Sequence, residues 1–172
     1  MPERAGAAPW ARWLFISLAV LVADLATKAW VSRAFSLHEV VPVTPFFNLV
    51  LVHNTGAAFS FLAGAGGWQR WFFIGVTVAV SAALVAMLRR HHANRVLATA
   101  VSLVLGGAAG NLWDRVTLGH VVDFVQLHAG GYHWPAFNVA DSAITVGVAL
   151  LVWDSFRPGE AAAAGPAGQE KP

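Results

Sequence analysis

Residues 96–113 read VLATAVSLVLGGAAGNLW, an apolar stretch of the length that a helix needs to cross a bilayer. Three further stretches, near residues 13–32, 68–88 and 137–156, have the same character. A membrane has roughly 30 Å of hydrocarbon, and about 20 helical residues span it. We therefore expect a mainly α-helical, polytopic membrane protein with four transmembrane helices.

The composition of the whole chain agrees with this expectation. Hydrophobic residues occupy 57% of the 172 positions and charged residues only 12%, whereas a soluble domain needs more polar surface. The net charge of +2 and the scattered Lys and Arg residues exclude a stripe that could follow phosphates, so we expect no nucleic-acid partner. The absence of cysteine excludes disulfides, thiolate catalysis and cysteine-based metal sites.

Basic residues are distributed unequally between the two sides of the expected bundle. Residues 34–67 and 116–136 contain no Lys or Arg, whereas the other extramembrane segments contain several, including Arg89-Arg90. The positive-inside rule then places both termini in the cytoplasm and these two segments on the extracytoplasmic side. Residues 158–172, rich in Ala, Gly, Pro and Glu, are expected to form a disordered cytoplasmic tail. Residues 1–157 would form one integral membrane domain.

The two extracytoplasmic segments carry strand patterns. Residues 40–43 and 46–52 are rich in β-branched and aromatic side chains and are interrupted by prolines. Residues 116–135 contain a further candidate strand and a Gly130-Gly131 turn. We expect a small extracytoplasmic β-sheet with a mobile loop.

Two aspartates on that side lie in short apolar frames, Asp123 in VVDF and Asp141 in FNVAD. Carboxylates near hydrocarbon are costly. Two carboxyls that share one proton supply a general base and a general acid, as in aspartic proteases. Taken singly, Asp141 could cap the fourth helix and Asp123 could be a solvated loop carboxylate. Their occurrence together indicates an aspartic peptidase, with the charge more often on Asp141 because a helix N-terminus favours it there.

Amide and cationic side chains occur near both acids. Asn54 and Gly56 offer a donor and a close backbone approach, although a turn between strands explains the glycine equally well. Asn111 and Arg115 lie one helical turn apart and can present an amide and a cation to the site, with interfacial snorkelling as the competing explanation for Arg115. Asp114 is expected to pair with Arg115 or to face water.

The first and third apolar stretches contain features that we attribute to packing. Asp24 and Lys28 lie four residues apart, and we expect a structural ion pair, with a catalytic role as the alternative. Gly106 and Gly110 form a small-xxx-small pair that allows close helix contact.

Three histidines, His120, His128 and His133, share the extracytoplasmic side with both acids, so a zinc site is an alternative. Their spacing matches no metal-binding motif, and we expect neither a metal nor a cofactor. Ser60 and Lys28 lack a paired partner for a serine or lysine mechanism.

Five motifs, in order and spacing, closely resemble those of the bacterial lipoprotein signal peptidase family, also called signal peptidase II. They are DLATK at 24–28, NTGAAFS at 54–60, GGAAGNLWDR at 106–115, VVDF at 121–124 and FNVAD at 137–141. The resemblance implies that Asp123 and Asp141 are the catalytic dyad. It also implies that seven residues line or support the site: Asn54, Gly56, Ala58, Asn111, Arg115, Asn138 and Ala140. Many relatives have Gln where this chain has Leu25, a difference that does not affect the dyad.

The resemblance also implies a substrate and a location. Such enzymes cleave signal peptides from prolipoproteins, just before a cysteine modified with diacylglycerol, in the bacterial cell (inner) membrane. The partners would be prolipoproteins and membrane lipids, and we expect a monomer. Two alternatives remain: a channel whose polar path is lined by Asp24, Lys28, Asp114 and Arg115, and an adaptor whose sheet binds a partner strand.

Overall fold

The computed structural model describes residues 8–56 and 66–157, which form a mainly helical bundle with a small antiparallel sheet. The helices are α1 (Leu14–Ala34, after a short 3-10 turn at Ala11–Trp13), α2 (Trp68–His91), α3 (Arg95–Thr117) and α4 (Val139–Ser155). The strands are β1 (Val40–Thr44), β2 (Phe47–Asn54), β3 (Val121–Ala129) and β4 (Tyr132–His133). Ala58 and the expected disordered tail at 158–172 lie outside the described residues.

Among the described residues, three helical segments are long and apolar enough to cross a bilayer: Ala11–Ala34, Trp68–His91 and Arg95–Thr117. Large apolar side chains such as Phe15 and Trp71 are exposed on their outer faces, as contact with lipid requires. Helix α4 has 17 residues, fewer than the usual span of about 20. The predicted count of four spans is therefore not confirmed.

Helix α3 lies at the centre of the bundle because small residues let its neighbours approach closely. A β-carbon on Gly106 would lie 2.7 Å from the backbone oxygen of Ser17 in α1. One on Gly107 would overlap the backbone oxygen of Ala140 in α4, and one on Gly110 would overlap the Asp24 carboxylate. The close helix contact predicted for the glycines of α3 is thus confirmed.

Helix α3 also runs about one turn beyond the predicted end at residue 113. Asp114, which we expected to pair with Arg115 or to face water, is buried within the bundle and accepts a hydrogen bond from the backbone N–H of Val122. The helix continues past this residue to Thr117.

The sheet has the order β1-β2-β3-β4 and lies at the end of the bundle where α1 and α3 end and α4 begins. Val31 of α1 packs with Leu51, Val122 and Phe124 of the two central strands, which attaches the sheet to the helices. The predicted strands and the Gly130-Gly131 turn are confirmed; both glycines have positive φ, which suits the turn between β3 and β4.

Asp123 lies within β3 and pairs with Val52 of β2, and it is not a loop carboxylate. Its neighbours along the strand are buried apolar residues, so the strand carries the carboxyl group into the interior. The sheet therefore positions one of the two acids, and the start of α4 positions the other.

The contact between α3 and α4 can be tested with a glycine substitution. Gly107→Ala should lower the free energy of unfolding by about 1–3 kcal/mol, because the added methyl overpacks a site filled by the Ala140 backbone. Thermal unfolding in detergent micelles measures the change.

Gly75→Ala in α2 is the matched control, because no atom lies within 4 Å of a β-carbon there. It should leave stability unchanged or raise it by up to about 1 kcal/mol through helix propensity. Equal destabilisation by both substitutions would contradict the proposed packing.

Candidate active site

The N-terminus of α4 places Asp141 through a capping box. The side-chain Oδ1 of Asn138 accepts from the backbone N–H of Asp141 at 2.9 Å, and Asp141 Oδ2 accepts from the backbone N–H of Asn138 at 3.3 Å. These bonds satisfy donors that a helix start leaves free. They also fix the carboxylate at the positive end of the helix dipole.

Asn138 connects the two acids. Because its Oδ1 is occupied by the helix cap, its amide nitrogen faces away from α4 and donates to Asp123 Oδ1 at 2.7 Å. Asn138 is fully buried, so water does not compete for these bonds. One side chain therefore contacts both aspartates and sets their relative placement.

Asp123 is 2% exposed and accepts amide hydrogen bonds on both oxygens. The second comes from Asn54 Nδ2, at 3.0 Å from Oδ2. Burial, followed by the negative charge of Asp141, raises the pKa of Asp123 to about 7, while the amide donors and the Lys28 charge act in the opposite direction. This direction supports our expectation that Asp123 holds the proton.

Asp141 is half-buried and accepts at Oδ1 from Asn111 Nδ2, at 2.8 Å. The oxygen of the same amide, Asn111 Oδ1, accepts from Lys28 Nζ at 3.1 Å and from Asn138 Nδ2 at 3.3 Å. Asn111 thus connects the more exposed acid to the interior of the bundle.

Arg115 points inward to the turn after β2. Its Nη2 donates to the backbone oxygen of Gly56 at 2.9 Å, and its Cζ lies 5.1 Å from the ring centre of Phe73. Gly56 in turn donates its N–H to Asn54 Oδ1 at 3.0 Å. Arg115 therefore helps to hold the turn that carries Asn54, an arrangement that snorkelling to the interface does not explain.

Asp24, Lys28 and Asp114 form one buried cluster, with side chains at most 4% exposed. Lys28 Nζ lies 2.7 Å from Asp24 Oδ2 and 3.0 Å from Asp114 Oδ2. The expected contact between Asp24 and Lys28 is present, but the expectation that Asp114 pairs with Arg115 or faces water was wrong. Because these charges pair with one another inside the bundle, they do not line the open path that a channel requires.

Helix periodicity could have placed Asp114 on the same face of α3 as Asn111. Asn111 and Asp114 are three residues apart and therefore lie on one face of α3. The contact with Lys28 crosses from α3 to α1, however, and no local pattern reveals it.

A cavity of about 800 Å³ opens beside both acids. Its polar lining consists chiefly of Asn54, Asn111, Arg115, Asp123 and Asp141, and much of its remaining wall is apolar, including Leu127, Trp134, Phe137, Ile144 and Val146. No sequence pattern distinguishes the residues of the apolar wall, since such residues are common in any membrane protein. The cavity can hold an extended apolar segment against two carboxyls.

Two of the residues expected at the site act through the backbone. Ala140 is buried, and its N–H donates to Asp24 Oδ1 at 2.8 Å. Gly56 accepts from Arg115 as described above. Both support neighbouring side chains and do not line the cavity wall.

The histidines lie in other contacts. His120 stacks on His53 with ring centres 3.8 Å apart, and His128 Nε2 lies 3.2 Å from Asn48 Oδ1. Burial lowers the pKa of His120. Within residues 8–56 and 66–157, no three His, Asp or Glu side chains are grouped as a metal site would require.

Residues 16–157 match the family described as Signal peptidase (SPase) II. A lipoprotein signal peptidase from Cupriavidus taiwanensis is 58% identical over 145 residues, which cover 84% of this chain and 82% of that protein. One from Paraburkholderia phymatum is 51% identical over 147 residues, covering 86% of this chain and 89% of that protein.

The fold is similar to that of a solved structure described as a bacterial membrane enzyme, determined by the in meso method at 2.3 Å resolution. The TM-score is 0.79 and the sequence identity 31%, with coverage of 92% of this chain and 94% of the other. A second such structure, at 1.9 Å resolution, gives a TM-score of 0.75 at 33% identity, covering 86% of this chain and 94% of the other.

Removing one amide donor should shift the proton equilibrium of Asp123. Asn54→Ala is expected to raise the pKa of Asp123 above about 7, because the lost hydrogen bond favours the charged form. The carboxyl stretch in infrared spectra recorded across pH measures the shift.

Asn48→Ala serves as the control, since this buried amide of the same strand donates to Gln126 and not to either acid. Asn48→Ala should leave the pKa of Asp123 unchanged. If the pKa of Asp123 stays unchanged or falls in Asn54→Ala, the result would contradict the hydrogen bond from Asn54 to Asp123.

Proposed function

This chain belongs to the signal peptidase II family, and we propose that it cleaves signal peptides from diacylglyceryl-modified prolipoproteins, just before the lipidated cysteine. One observation carries the catalytic part of this proposal: Asn138 contacts both Asp123 and Asp141 beside a single cavity. The enzyme is then an aspartic endopeptidase, with the two carboxyls as its catalytic residues.

Helix α4 serves in this proposal as a fourth membrane span. At about 1.5 Å per residue, its 17 residues reach about 25 Å, which slight bilayer thinning can accommodate. Val148, Val152 and Trp153 are exposed on its surface, as lipid contact requires. Residues 1–157 act as one membrane domain that works as a monomer.

The sheet then lies on the extracytoplasmic face of the bacterial cell membrane, with both termini in the cytoplasm. The end of the bundle opposite the sheet carries Arg12, Arg89, Arg90 and Arg95, which supports this orientation under the positive-inside rule. The two acids lie at the sheet end, so the scissile bond is cleaved near the outer surface of the membrane.

The chemistry needs one water molecule and one shared proton. Asp141 accepts a proton from the water as its oxygen attacks the amide carbonyl, while Asp123 donates a proton to the carbonyl oxygen. The tetrahedral intermediate collapses when Asp141 passes its proton to the leaving nitrogen and Asp123 takes back the hydroxyl proton. The C–N bond breaks, both acids return to their starting states, and no covalent enzyme intermediate forms.

The cavity suits the small and apolar residues that precede the modified cysteine. Its walls include Ile144 and Val146 of α4, and Val146 is also exposed on the outer surface of the helix. A substrate helix and its acyl chains can therefore approach from the bilayer without crossing a polar surface. Arg115 and Asn54 hold the opposing turn in place.

Removal of either carboxyl should abolish turnover. Asp123→Asn and Asp141→Asn are each expected to lower kcat by about 10²–10⁴-fold on a lipidated precursor, because neither amide can exchange the required proton. Signal-peptide release in detergent micelles measures the loss, and thermal unfolding checks that both variants fold.

Asp154→Asn, at the far end of α4, controls for the same chemical change outside the cavity. It should cleave at the parental rate. Near-normal turnover in Asp123→Asn or Asp141→Asn would contradict the proposed mechanism.

The rate should also depend on pH in a defined direction. Asp123 must be protonated to act as the acid, and with a pKa of about 7 it loses that proton as the pH rises. We therefore expect kcat/KM for the lipidated precursor to fall above about pH 7, by up to tenfold per pH unit. A kcat/KM that is constant or rises between about pH 7 and 9 would contradict this assignment of acid and base.

A further inference from the structure

We propose that Lys28 is a positioning residue that sets the orientation of Asn111 and thereby aligns Asp141 for catalysis. The inference rests on the proposed function and gives the buried ion cluster a role beyond helix packing. Lys28 does not line the cavity and touches neither catalytic acid. Its effect on Asp141 passes through one amide.

Three acceptor oxygens surround the ammonium group of Lys28. A lysine ammonium has three N–H donors and no acceptor. Lys28 Nζ donates to Asn111 Oδ1 at 3.1 Å and forms ion pairs with Asp24 Oδ2 at 2.7 Å and Asp114 Oδ2 at 3.0 Å. Since the side chain is almost fully buried, all three contacts are made without competition from bulk water.

The Asn111 amide has one favourable orientation among these neighbours. Its oxygen accepts from both Lys28 Nζ and Asn138 Nδ2, so its nitrogen must face Asp141. A flip of the amide would point its NH₂ group at two other donors and its oxygen at a carboxylate. Lys28 supplies the cationic member of this pair, and charge-assisted hydrogen bonds are the stronger kind.

The two carboxylates of the ion cluster contact the backbone beside both catalytic acids. Asp24 accepts the backbone N–H of Ala140, the residue immediately before Asp141. Asp114 accepts the backbone N–H of Val122, the residue immediately before Asp123. The carboxylates that neutralise Lys28 therefore also hold the two catalytic segments, so the cluster contacts the backbone on both sides of the site.

The expected consequence is a loss in kcat and not in KM. Without Lys28, the Asn111 amide can turn, and Asp141 loses its 2.8 Å donor while the cavity walls that bind substrate stay in place. Lys28→Met, which has a similar apolar stem, should lower kcat at least about tenfold and change KM less than about twofold.

A double-mutant cycle separates positioning from general destabilisation. If Lys28 acts through Asn111, then Lys28→Met should change kcat less than about twofold in an Asn111→Ala background. In an Asn54→Ala background, which removes the amide beside Asp123 but leaves Asn111 in place, the same substitution should again lower kcat at least about tenfold. Each kcat is corrected for the folded fraction from thermal unfolding.

Each cycle is also made with Asp114→Asn present, because Lys28→Met alone leaves two buried carboxylates without their cation. This background removes one of those charges and keeps an oxygen for the Val122 N–H. The comparison is then made with one uncompensated buried charge fewer.

Two results would overturn the positioning role: equal factors in the Asn111→Ala and Asn54→Ala backgrounds, or a folded Lys28→Met variant with parental kcat. The dyad variants distinguish this failure from failure of the proposed function. If Asp123→Asn and Asp141→Asn are inactive while the cycle is additive, only the role of Lys28 is lost.

Discussion

A buried carboxylate in a membrane bundle needs a donor for its charge, and this constraint organises the whole molecule. Each of the three most deeply buried acids of the described chain, Asp24, Asp114 and Asp123, accepts a hydrogen bond from another element. An unpaired charge in this position would cost several kcal/mol. The polar contacts therefore join α1, α3, α4 and β3 at one level of the bundle, and the candidate site lies at that level.

Local helix chemistry explains why the two acids meet in a defined geometry. The start of α4 requires a cap, and Asn138 provides it. Capping uses the amide oxygen and leaves the nitrogen for Asp123. The helix cap formed by Asn138 thus also connects the two acids. Asp123 is deeply buried, whereas Asp141 is half-buried. This difference in environment is what separates an acid from a base in a carboxyl pair.

Sequence patterns predicted the elements better than the contacts between them. Apolar runs predicted the positions of the helices and β-branched runs the strands, because both patterns reflect local periodicity. The partner of Asp114 was mispredicted, since Lys28 is distant in the chain and only the close approach of α1 to α3 at Gly106 and Gly110 brings the two together. Likewise, the inward direction of Arg115 depends on the Gly56 backbone, which no spacing rule places.

The central claim is that Asp123 and Asp141 act on one water molecule. A crystal structure with a peptide analogue that carries a hydroxyl group in place of the scissile amide tests it most directly, because the hydroxyl stands in for the attacking water. We expect the hydroxyl oxygen within about 3 Å of a carboxyl oxygen of each aspartate. A hydroxyl group bound to only one of the two acids, with the other turned away from the cavity, would contradict the account.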